Sequence, residues 1–319
     1  MSYIEWIRGK VGTRKIFLAF ASVVLWDENG RLLLQQRGDF DMWGLPGGVL
    51  ERDEDLLTCA RRELLEETGL KAGALSLVGI FDRPHYDVVY PNGDQVQQFT
   101  VCFQGQAAGG KLQIDGIETR DLRFVTPAEA AEMRMAIWYS DMIRDACING
   151  VPTFAPPFRH GQTVDQVAAV RPFIGKELYI GIGATVLVTR EDGRILILKH
   201  VGETDWRFPA GFADLGETLA ATAVREMREE TGLHIQPDRI VAIYSAQEMH
   251  NVYPNGDQVK NVGVLFHARY TGGTIQLDAG EIEQMAWIDA SQLLEWVDPQ
   301  KIGFYTAVLA HLEKGYVVY

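Results

Sequence analysis

The sequence predicts an α/β protein made of two tandem copies of one α/β/α sandwich domain, each with a mixed sheet. Two observations support this prediction. The stretch from Gly48 to Leu70 recurs from Gly211 to Leu233, at an offset of 163 residues. In both copies, aliphatic runs typical of strands alternate with helix-forming segments in the same order.

The repeat keeps its register over a whole domain. The same offset relates four further pairs: Arg8 and Arg171, Gly12 and Gly175, Pro46 and Pro209, and Phe124 and Trp287. The segment Asn149–Thr163 has three prolines, two glycines and no periodicity, which is typical of a linker. We therefore expect one domain in residues 1–150, a linker in residues 151–164 and a second domain in residues 165–319.

The first copy contains a strand, turn, strand signal and further strands. Ile16–Trp26 and Arg31–Gln36 are rich in aliphatic residues and flank the turn sequence Asp-Glu-Asn-Gly. Leu75–Phe81, Gln97–Gln104 and Asp121–Val125 are expected to be strands as well. The chain then turns helical over residues 126–147, and the second copy ends on an expected helix over residues 304–312.

Charge and composition exclude some classes of function. The net charge of −13 argues against a general nucleic-acid or membrane-surface binder, since such proteins usually carry a basic face. An anionic substrate remains open because a bound metal can bridge acidic side chains to phosphate. The three scattered cysteines and the absence of an apolar signal core in the first twelve residues lead us to expect a cytoplasmic protein.

The repeated stretch places three carboxylates on one helix face. Glu63, Glu66 and Glu67 stand at i, i+3 and i+4 of a run without glycine or proline that continues to Gly69. Acids this close repel one another, and a hard divalent cation would offset the repulsion. A solvated acidic helix face is the alternative interpretation of an isolated run of this kind.

Both stretches fit the pattern G-x5-E-x7-R-E-U-x-E-E-x-G-U, where U is aliphatic, with a methionine at one such position of the second. The fixed positions are Gly48, Glu54, Arg62, Glu63, Leu64, Glu66, Glu67, Gly69 and Leu70, then Gly211, Glu217, Arg225, Glu226, Met227, Glu229, Glu230, Gly232 and Leu233. Each half resembles a Nudix hydrolase, the MutT-related fold, over nearly its whole length. The resemblance implies two tandem Nudix-type domains that use Mg²⁺ or Mn²⁺ to hydrolyse a pyrophosphate bond.

The resemblance also implies roles for the residues of this pattern, which we call the box. The implied metal ligands are the carboxylates of Glu63, Glu66, Glu67, Glu226, Glu229 and Glu230, with backbone carbonyls of Gly47 and Ala210. Glu66 and Glu229 are the ligands that we expect to matter most for catalysis. Arg62 and Arg225 are expected to orient a glutamate, because arginine presents a planar fork to a carboxylate.

The general base is open, because the family uses different residues for it. Glu118 and Glu281 are candidates, since they precede the last strand, where several family members place such a glutamate. Glu283 is a near neighbour in the second copy. The alternative is that each of them is an ordinary acidic residue of a loop without a catalytic role.

The heptapeptide YPNGDQV occurs letter for letter in both copies. A plain hairpin turn explains the Asn-Gly step, and a role in substrate binding for Tyr90, Asp94, Tyr253 and Asp257 is the alternative. Two other aligned pairs allow both interpretations. Trp43 and Trp206 could stack on a base or pack in a loop, and Arg37 and His200 could contact phosphate or solvent.

The implied substrates are nucleoside diphosphates linked to another group. ADP-ribose or another nucleotide sugar, a dinucleoside polyphosphate and a nucleoside triphosphate all remain open, because Pro84 and Tyr86 favour different subfamilies. One catalytic copy with one binding copy, or a nucleotide sensor, is the alternative. We expect no nucleic-acid or membrane partner, and either a monomer with an internal pseudo-dimer or a homodimer.

Overall fold

The computed structural model describes residues 1–114, 119–148 and 150–319. The chain separates into two compact units, Met1–Phe154 (unit 1) and Ala155–Tyr319 (unit 2), each with its own mixed sheet. This architecture confirms the predicted fold class. Among the described helices, none is long and apolar enough to cross a membrane.

Unit 1 contains the predicted strands and helices and several short strands in its loops. Its elements are α1 (Tyr3–Val11), β1 (Ile16–Trp26), β2 (Leu32–Arg37), β3 (Trp43–Gly44), β4 (Gly47–Val49), α2 (Leu56–Thr68), β5 (Leu70–Phe81), β6 (Val88–Val89), β7 (Gln95–Gly110), β8 (Thr119–Val125), α3 (Pro127–Ala131) and α4 (Ile137–Cys147). Strand β1 has the predicted bounds. Strands β5 and β7 are longer than predicted, because their mostly exposed outer ends, rich in alanine and glycine, still pair with each other up to Leu70 and Gly110.

Strand β1 lies inside the sheet of unit 1. The strand order is β3-β2-β1-β7-β5, and β4, β6 and β8 pair with β1, β7 and β2. Strands β1 and β7 are parallel, with residue pairs from Ile16–Val96 to Trp26–Gln106. A parallel strand covered on both faces needs apolar side chains at consecutive positions. This requirement explains the unbroken apolar run that marks β1 in the sequence.

Helix α2 carries the acids of the box and begins later than the sequence suggests. The residues after Gly48 form a loop, and the helix starts at Leu56 because the side chain of Asp55 caps it, accepting from the Thr58 N–H at 2.7 Å. It ends where predicted, since Gly69 adopts the left-handed conformation with φ 72°.

Two helices pack on the sheet of unit 1. Helix α2 contacts β1, β4 and β5, and α4 contacts β1 and β5. The buried side chains Met142 and Ile143 of α4 join a core cluster with Val24, Leu34 and Phe81. The sheet thus holds α2 in place, so that the acidic face of this helix lies over the loop that contains β4.

Unit 2 repeats this plan. Its elements are β9 (Arg159–Asp165), α5 (Gln166–Ile174), β10 (Tyr179–Thr189), β11 (Ile195–His200), β12 (Trp206–Arg207), β13 (Ala210–Phe212), β14 (Asp214–Glu217), α6 (Leu219–Thr231), β15 (Leu233–Tyr244), β16 (His250–Val252), β17 (Gln258–Gly273), β18 (Ile282–Ile288), α7 (Leu293–Trp296), α8 (Ile302–Leu309) and β19 (Val317–Val318). Its strand order is β12-β11-β10-β17-β15-β19, with β10 and β17 parallel.

A separate two-stranded sheet involves the segment that the sequence suggests as a linker. Residues of β9 pair with β14 in unit 2, although residues 151–164 show no strand periodicity. At the other end of this segment, Thr153 belongs to unit 1, where it exchanges backbone hydrogen bonds with Val78 and Ile80. Backbone pairing of polar residues leaves no apolar pattern, which explains why the sequence does not reveal it.

The cysteines differ in exposure. Cys59 and Cys102 are buried, as an ordinary structural thiol usually is, whereas Cys147 is exposed at the end of α4.

Candidate functional site

An arginine on α2 gathers three carboxylates in unit 1. The guanidinium of Arg62 donates to both oxygens of Glu54, at 2.6 and 2.9 Å, in a bidentate pair. Its Nη1 donates to Glu63 at 2.7 Å and to Glu66 at 3.1 Å. Arg62 therefore fixes the direction of the box glutamates, and these hydrogen bonds raise its pKa further above the usual value.

Unit 2 contains the same arrangement. Arg225 donates to Glu217 at 2.8 Å, to Glu226 at 2.6 Å and to Glu229 at 3.1 Å. Glu217 is fully buried and also accepts the hydroxyl of Thr222 at 2.9 Å. Glu54 and Glu217 thus anchor the arginines, and both also accept a backbone N–H of the loop before the helix.

A glycine lies directly under the first box glutamate of each helix. A β-carbon on Gly48 would lie 2.3 Å from the nearest carboxylate atom of Glu63, and one on Gly211 would lie 2.0 Å from Glu226. The box therefore begins with glycine because the glutamate carboxylate occupies the space of a side chain. Burial raises the pKa of Glu63, and it raises the pKa of Glu226 to about 7.

The last box glutamate of unit 1 is buried and hydrogen-bonded. Oε2 of Glu67 accepts the Gly47 N–H at 2.8 Å and the side-chain amide of Gln35 at 3.0 Å. The amide oxygen of Gln35 in turn accepts the Thr119 hydroxyl at 2.8 Å. Burial outweighs these bonds and raises the pKa of Glu67 to about 7.

Glu230, the counterpart of Glu67 in unit 2, has weaker hydrogen-bond support. Leu198 and Ile282 stand where unit 1 has Gln35 and Thr119, and both are buried. Oε2 of Glu230 and Nε2 of His200 are buried and have no hydrogen-bond partner among the described residues, and the two side chains approach to 3.7 Å. Burial, with the neighbouring Glu226 and Glu281, raises the pKa of Glu230 to about 9, and burial lowers that of His200 to about 4.

In unit 1 the carboxylates open on a cavity of about 690 Å³. Its wall includes the predicted residues Arg37, Trp43, Gly47 and Tyr90 together with Glu63, Glu66 and Glu67. Asp39 pairs with Arg37 at 2.7 Å, and the guanidinium of Arg123 lies 5.0 Å from the centre of the Trp43 ring. Trp138 and Tyr139 add further aromatic surface.

Unit 2 has a cavity of about 610 Å³ in the same relation to its box. His200, Ala210, Tyr253 and Glu281 line it with Arg225, Glu226 and Glu230. Three predicted residues, Glu229, Trp206 and Asp257, do not line it. Glu229 is exposed beside this wall, and Trp206 packs its ring against Trp296 at 5.2 Å, with the rings perpendicular.

The repeated heptapeptide forms a hairpin that an arginine of the first helix holds. Arg8 donates to the carbonyls of Gly12, Arg14 and Gln95 at 2.7–3.1 Å and lies 3.5 Å from Asp94. Arg171 makes the equivalent bonds in unit 2 and lies 3.5 Å from Asp257. The two aspartates stabilise the turn, and the structure does not bring them to the cavity walls.

Of the base candidates, Glu118 lies outside the described residues. Glu281 lines the cavity of unit 2 and acts on Glu230 electrostatically. Glu283 points to Lys199 instead, with 3.0 Å between the charged groups.

The family of the chain follows from a comparison with known domains. The model of the NUDIX domain matches residues 17–146 and again residues 180–308. The chain belongs to the Nudix family. This result confirms the predicted family and its two tandem copies.

Relatives of this Nudix protein match a stretch of the chain about as long as one of its two domains. A Bacillus subtilis protein named as a candidate 8-oxo-dGTP diphosphatase is 35% identical over 107 residues, 34% of this chain and 65% of that protein. A Xenopus laevis protein named nucleoside diphosphate-linked moiety X motif 6 is 29% identical over 116 residues, 36% of this chain and 51% of that protein. The chain thus spans less than two thirds of either curated relative.

Among solved structures, a crystal structure of an ADP-ribose pyrophosphatase from Streptococcus suis is 18% identical to this Nudix chain. It covers 44% of this chain and 100% of its own, with a TM-score of 0.36.

The donor set of each Nudix box suits a hard divalent cation. The candidates are carboxylate and carbonyl oxygens, the ligands that Mg²⁺ prefers, and Glu230 presents an orphaned buried oxygen. Within residues 1–114, 119–148 and 150–319, no group of three acidic, histidine or cysteine side chains is already arranged to hold one metal ion. Arg62 and Arg225 lie among the carboxylates and neutralise part of their charge.

Several residues of the two Nudix cavities were not predicted. Gln35 follows three leucines in β2, and no motif marks it as the partner of Glu67. Arg207, Lys301 and Tyr305 line the cavity of unit 2 but have no counterpart of the same type in the first copy. The repeat register could have drawn attention to Arg207, because it replaces Gly44 in an otherwise similar loop.

Proposed function

We propose that each unit is a Nudix hydrolase that uses Mg²⁺ or Mn²⁺ to cleave a pyrophosphate bond in a nucleoside diphosphate linked to a second group. One observation carries this proposal. In both units box glutamates of one helix face line a cavity of several hundred Å³, namely Glu63, Glu66 and Glu67 in unit 1 and Glu226 and Glu230 in unit 2. This volume is in the size range of small-molecule sites.

The residues that would hold the cation in unit 1 are Glu63, Glu66 and Glu67, with the carbonyl of Gly47. In unit 2 they are Glu226, Glu229 and Glu230, with the carbonyl of Ala210. A bound divalent cation would neutralise phosphate charge and lower the pKa of a water molecule. Arg62 and Arg225 contribute by fixing carboxylates before substrate arrives, because each already bonds two of the proposed ligands and the anchoring Glu54 or Glu217.

The cavity walls would orient the rest of the substrate. In unit 1, Trp43 and Tyr90 offer ring faces for a nucleobase or ribose. In unit 2, Glu281 is the candidate to accept the proton of the attacking water, since it lines the cavity on the side of Glu230. The substrate class includes ADP-ribose and other nucleotide sugars, dinucleoside polyphosphates and nucleoside triphosphates, such as the oxidised nucleotide in the name of the Bacillus relative.

A panel of these compounds, incubated with the full chain and Mg²⁺ or Mn²⁺, tests the proposal. We expect at least one compound to release a nucleoside monophosphate, and chelation of the metal to stop the reaction. Product identity by chromatography gives the bond that is cleaved. If no diphosphate-containing compound turned over with either metal, the proposal would be wrong.

A second candidate, with one catalytic unit and one binding unit, is favoured by the differences around the last box glutamate. Unit 1 supports Glu67 with Gln35, whereas unit 2 has Leu198 at that position, and Oε2 of Glu230 has no hydrogen-bond partner in the described part of the chain. Inactivating each unit separately distinguishes this candidate from two working sites.

A further inference from the structure

The two cavities differ in charge at one position of a short strand. Gly44 in β3 pairs with Gln35, and Arg207 in β12 pairs with Leu198 at the equivalent place. Arg207 lines the cavity of unit 2. The repeat therefore places the guanidinium of Arg207 in the cavity of unit 2, whereas the equivalent residue of unit 1, Gly44, has no side chain.

A neighbouring ring explains why unit 1 keeps glycine. A β-carbon on Gly44 would lie 2.7 Å from Cε2 of Tyr139, so the tyrosine fills this space. In unit 2 the chain around the start of α8 brings Lys301 and Tyr305 to the cavity instead. The aromatic wall of unit 1 is thereby replaced in part by two cationic side chains.

The two cations line the same cavity, and both are half-buried. Burial lowers the pKa of both Arg207 and Lys301, and the charge of Arg207 lowers that of Lys301 further. The ammonium group of Lys301 donates to the amide oxygen of Asn251 at 3.4 Å, a long bond to a neutral group. Two like charges held together in this way gain from an anion between them.

Nearby acids neutralise the pair only in part. Glu203, which is half exposed and lines the same cavity, is the ion-pair partner of Arg207. Asp298 and Asp205 act on Lys301 electrostatically but do not line the cavity, and Asp298 caps the following turn by accepting the Gln300 N–H at 2.9 Å. In unit 1 the comparable charge, Arg37, bonds both Asp39 and Tyr139.

We propose that Arg207 and Lys301 form an anion subsite that is specific to unit 2 and binds a terminal phosphate of the substrate. This inference rests on the proposed function, since it assigns a substrate class to one of the two sites. Unit 2 is then the unit that prefers nucleotides with an additional terminal phosphate group. Unit 1, with Trp43, Trp138 and Tyr139 on its wall, prefers compounds that end in an uncharged group.

The test measures binding without turnover. The full chain with Glu66→Gln and Glu229→Gln is titrated in a calorimeter with inorganic tripolyphosphate and, separately, with AMP, both in Mg²⁺. Arg207→Gln and Lys301→Gln are each added to this background. Arg194→Gln is the matched control, because Arg194 is an exposed cation of unit 2 that pairs with Asp192 on a turn. Arg207→Lys tests rescue by charge.

We expect Arg207→Gln and Lys301→Gln each to weaken tripolyphosphate binding by about tenfold, the loss that one charge-assisted hydrogen bond brings. AMP binding should change by less than about twofold, Arg194→Gln should resemble the background chain, and Arg207→Lys should recover most of the affinity. Thermal unfolding of each variant verifies that it is folded.

Two results would overturn the inference: no measurable tripolyphosphate binding, or equal losses for tripolyphosphate and AMP in both variants. The proposed function fails by a different result, the absence of turnover by the unsubstituted chain in the compound panel. A chain that hydrolyses diphosphates but binds tripolyphosphate equally well without Arg207 and Lys301 would refute the subsite alone.

Discussion

At Gly48 and Gly211 the chain has no room for a side chain, because a glutamate carboxylate lies where the β-carbon would be. Neither glycine has a positive φ, so the requirement is spatial and does not arise from backbone strain. The carboxylate is the end of a flexible side chain held by arginine. An added methyl group would therefore displace the glutamate more readily than it would unfold the domain.

We predict that Gly48→Ala weakens metal binding by unit 1 by about tenfold or more, because supporting groups of a metal site typically contribute on this scale. Manganese titration of a chain that also carries Glu229→Gln isolates this unit. Gly9→Ala is the control, since a β-carbon there meets nothing within 4 Å. Equal manganese affinity in the Gly48→Ala and parent chains would show that the close approach has no functional role.

The burial of Glu67 gives a prediction about stability. The pKa of this carboxyl group rises from 4.5 in the unfolded chain to about 7 in the folded one. The ionised form of the group is therefore less stable in the folded chain than in the unfolded chain. Its ionisation therefore destabilises the metal-free fold increasingly as the pH rises from 4.5 to 7. Glu67→Gln should raise the free energy of unfolding in a chelator at pH 8 by about 1–3 kcal/mol, and by much less near pH 5.

Thermal or urea unfolding at the two pH values measures this difference. The exposed Glu132→Gln serves as the control and should leave stability unchanged at both. A lower stability of Glu67→Gln at pH 8 would mean that its hydrogen bonds with Gly47 and Gln35 outweigh its burial.

At the residue scale, the sequence predicts the charged members of the site but not their neutral supports. Helical spacing places Glu63, Glu66 and Glu67 on one face, and Arg62 is a fixed position of the box. Gln35 and Thr119 lie far from the box in sequence, and only strand pairing brings them beneath Glu67. No local pattern encodes that pairing. For the same reason, the sequence does not predict that Glu230 has weaker hydrogen-bond support in unit 2.

At the scale of elements, the first helix of each unit and the hairpin of the repeated heptapeptide bind each other. The arginine of the first helix donates to three backbone carbonyls around the Tyr-Pro-Asn-Gly-Asp hairpin in unit 1, and its counterpart does so in unit 2. A lysine has one point charge and cannot keep this fork of bonds. The identical heptapeptides therefore reflect the same packing of the first helix against the hairpin in both units.

We predict that Arg8→Lys lowers the free energy of unfolding by about 1–3 kcal/mol, since hydrogen bonds to a partly buried charge are lost. Its kcat should stay within about twofold of the parent value, because neither Arg8 nor Asp94 lines the cavity. Arg31→Lys, which alters an exposed pair with Asp27 on a turn, is the matched control for stability. A large loss of turnover in a stable Arg8→Lys chain would mean that the contact between Arg8 and the hairpin also supports the site.

Elements with apolar periodicity were predicted well. Strand β1 has the predicted bounds, and α2 ends at its glycine cap. The late start of α2 depends on a single capping aspartate, Asp55, that lies inside a polar run with several acceptable starts. Strand β9 was missed because the pairing of exposed polar residues needs only backbone groups.

At the scale of the whole molecule, the repeat gives two copies of one site with different surroundings. Each unit keeps the glycine, the arginine and the glutamates of the box. The units differ around their cavities, where unit 1 has Arg37 and unit 2 has His200, and where Arg207 of unit 2 replaces Gly44 of unit 1. Both boxes are intact, whereas the residues of the two cavity walls differ. We therefore expect the two units to prefer different substrates, because the residues around a shared site determine specificity.

The central claim, a working metal site in each unit, is tested most directly by turnover of Glu66→Gln, Glu229→Gln and the double variant on the best substrates of the panel. Loss of a metal-ligand carboxylate should reduce kcat of the affected unit by about a hundredfold or more. We expect each single variant to keep the activity of its intact unit and the double variant to lose both. Full activity in the double variant, or complete loss in either single variant for every substrate, would contradict the account.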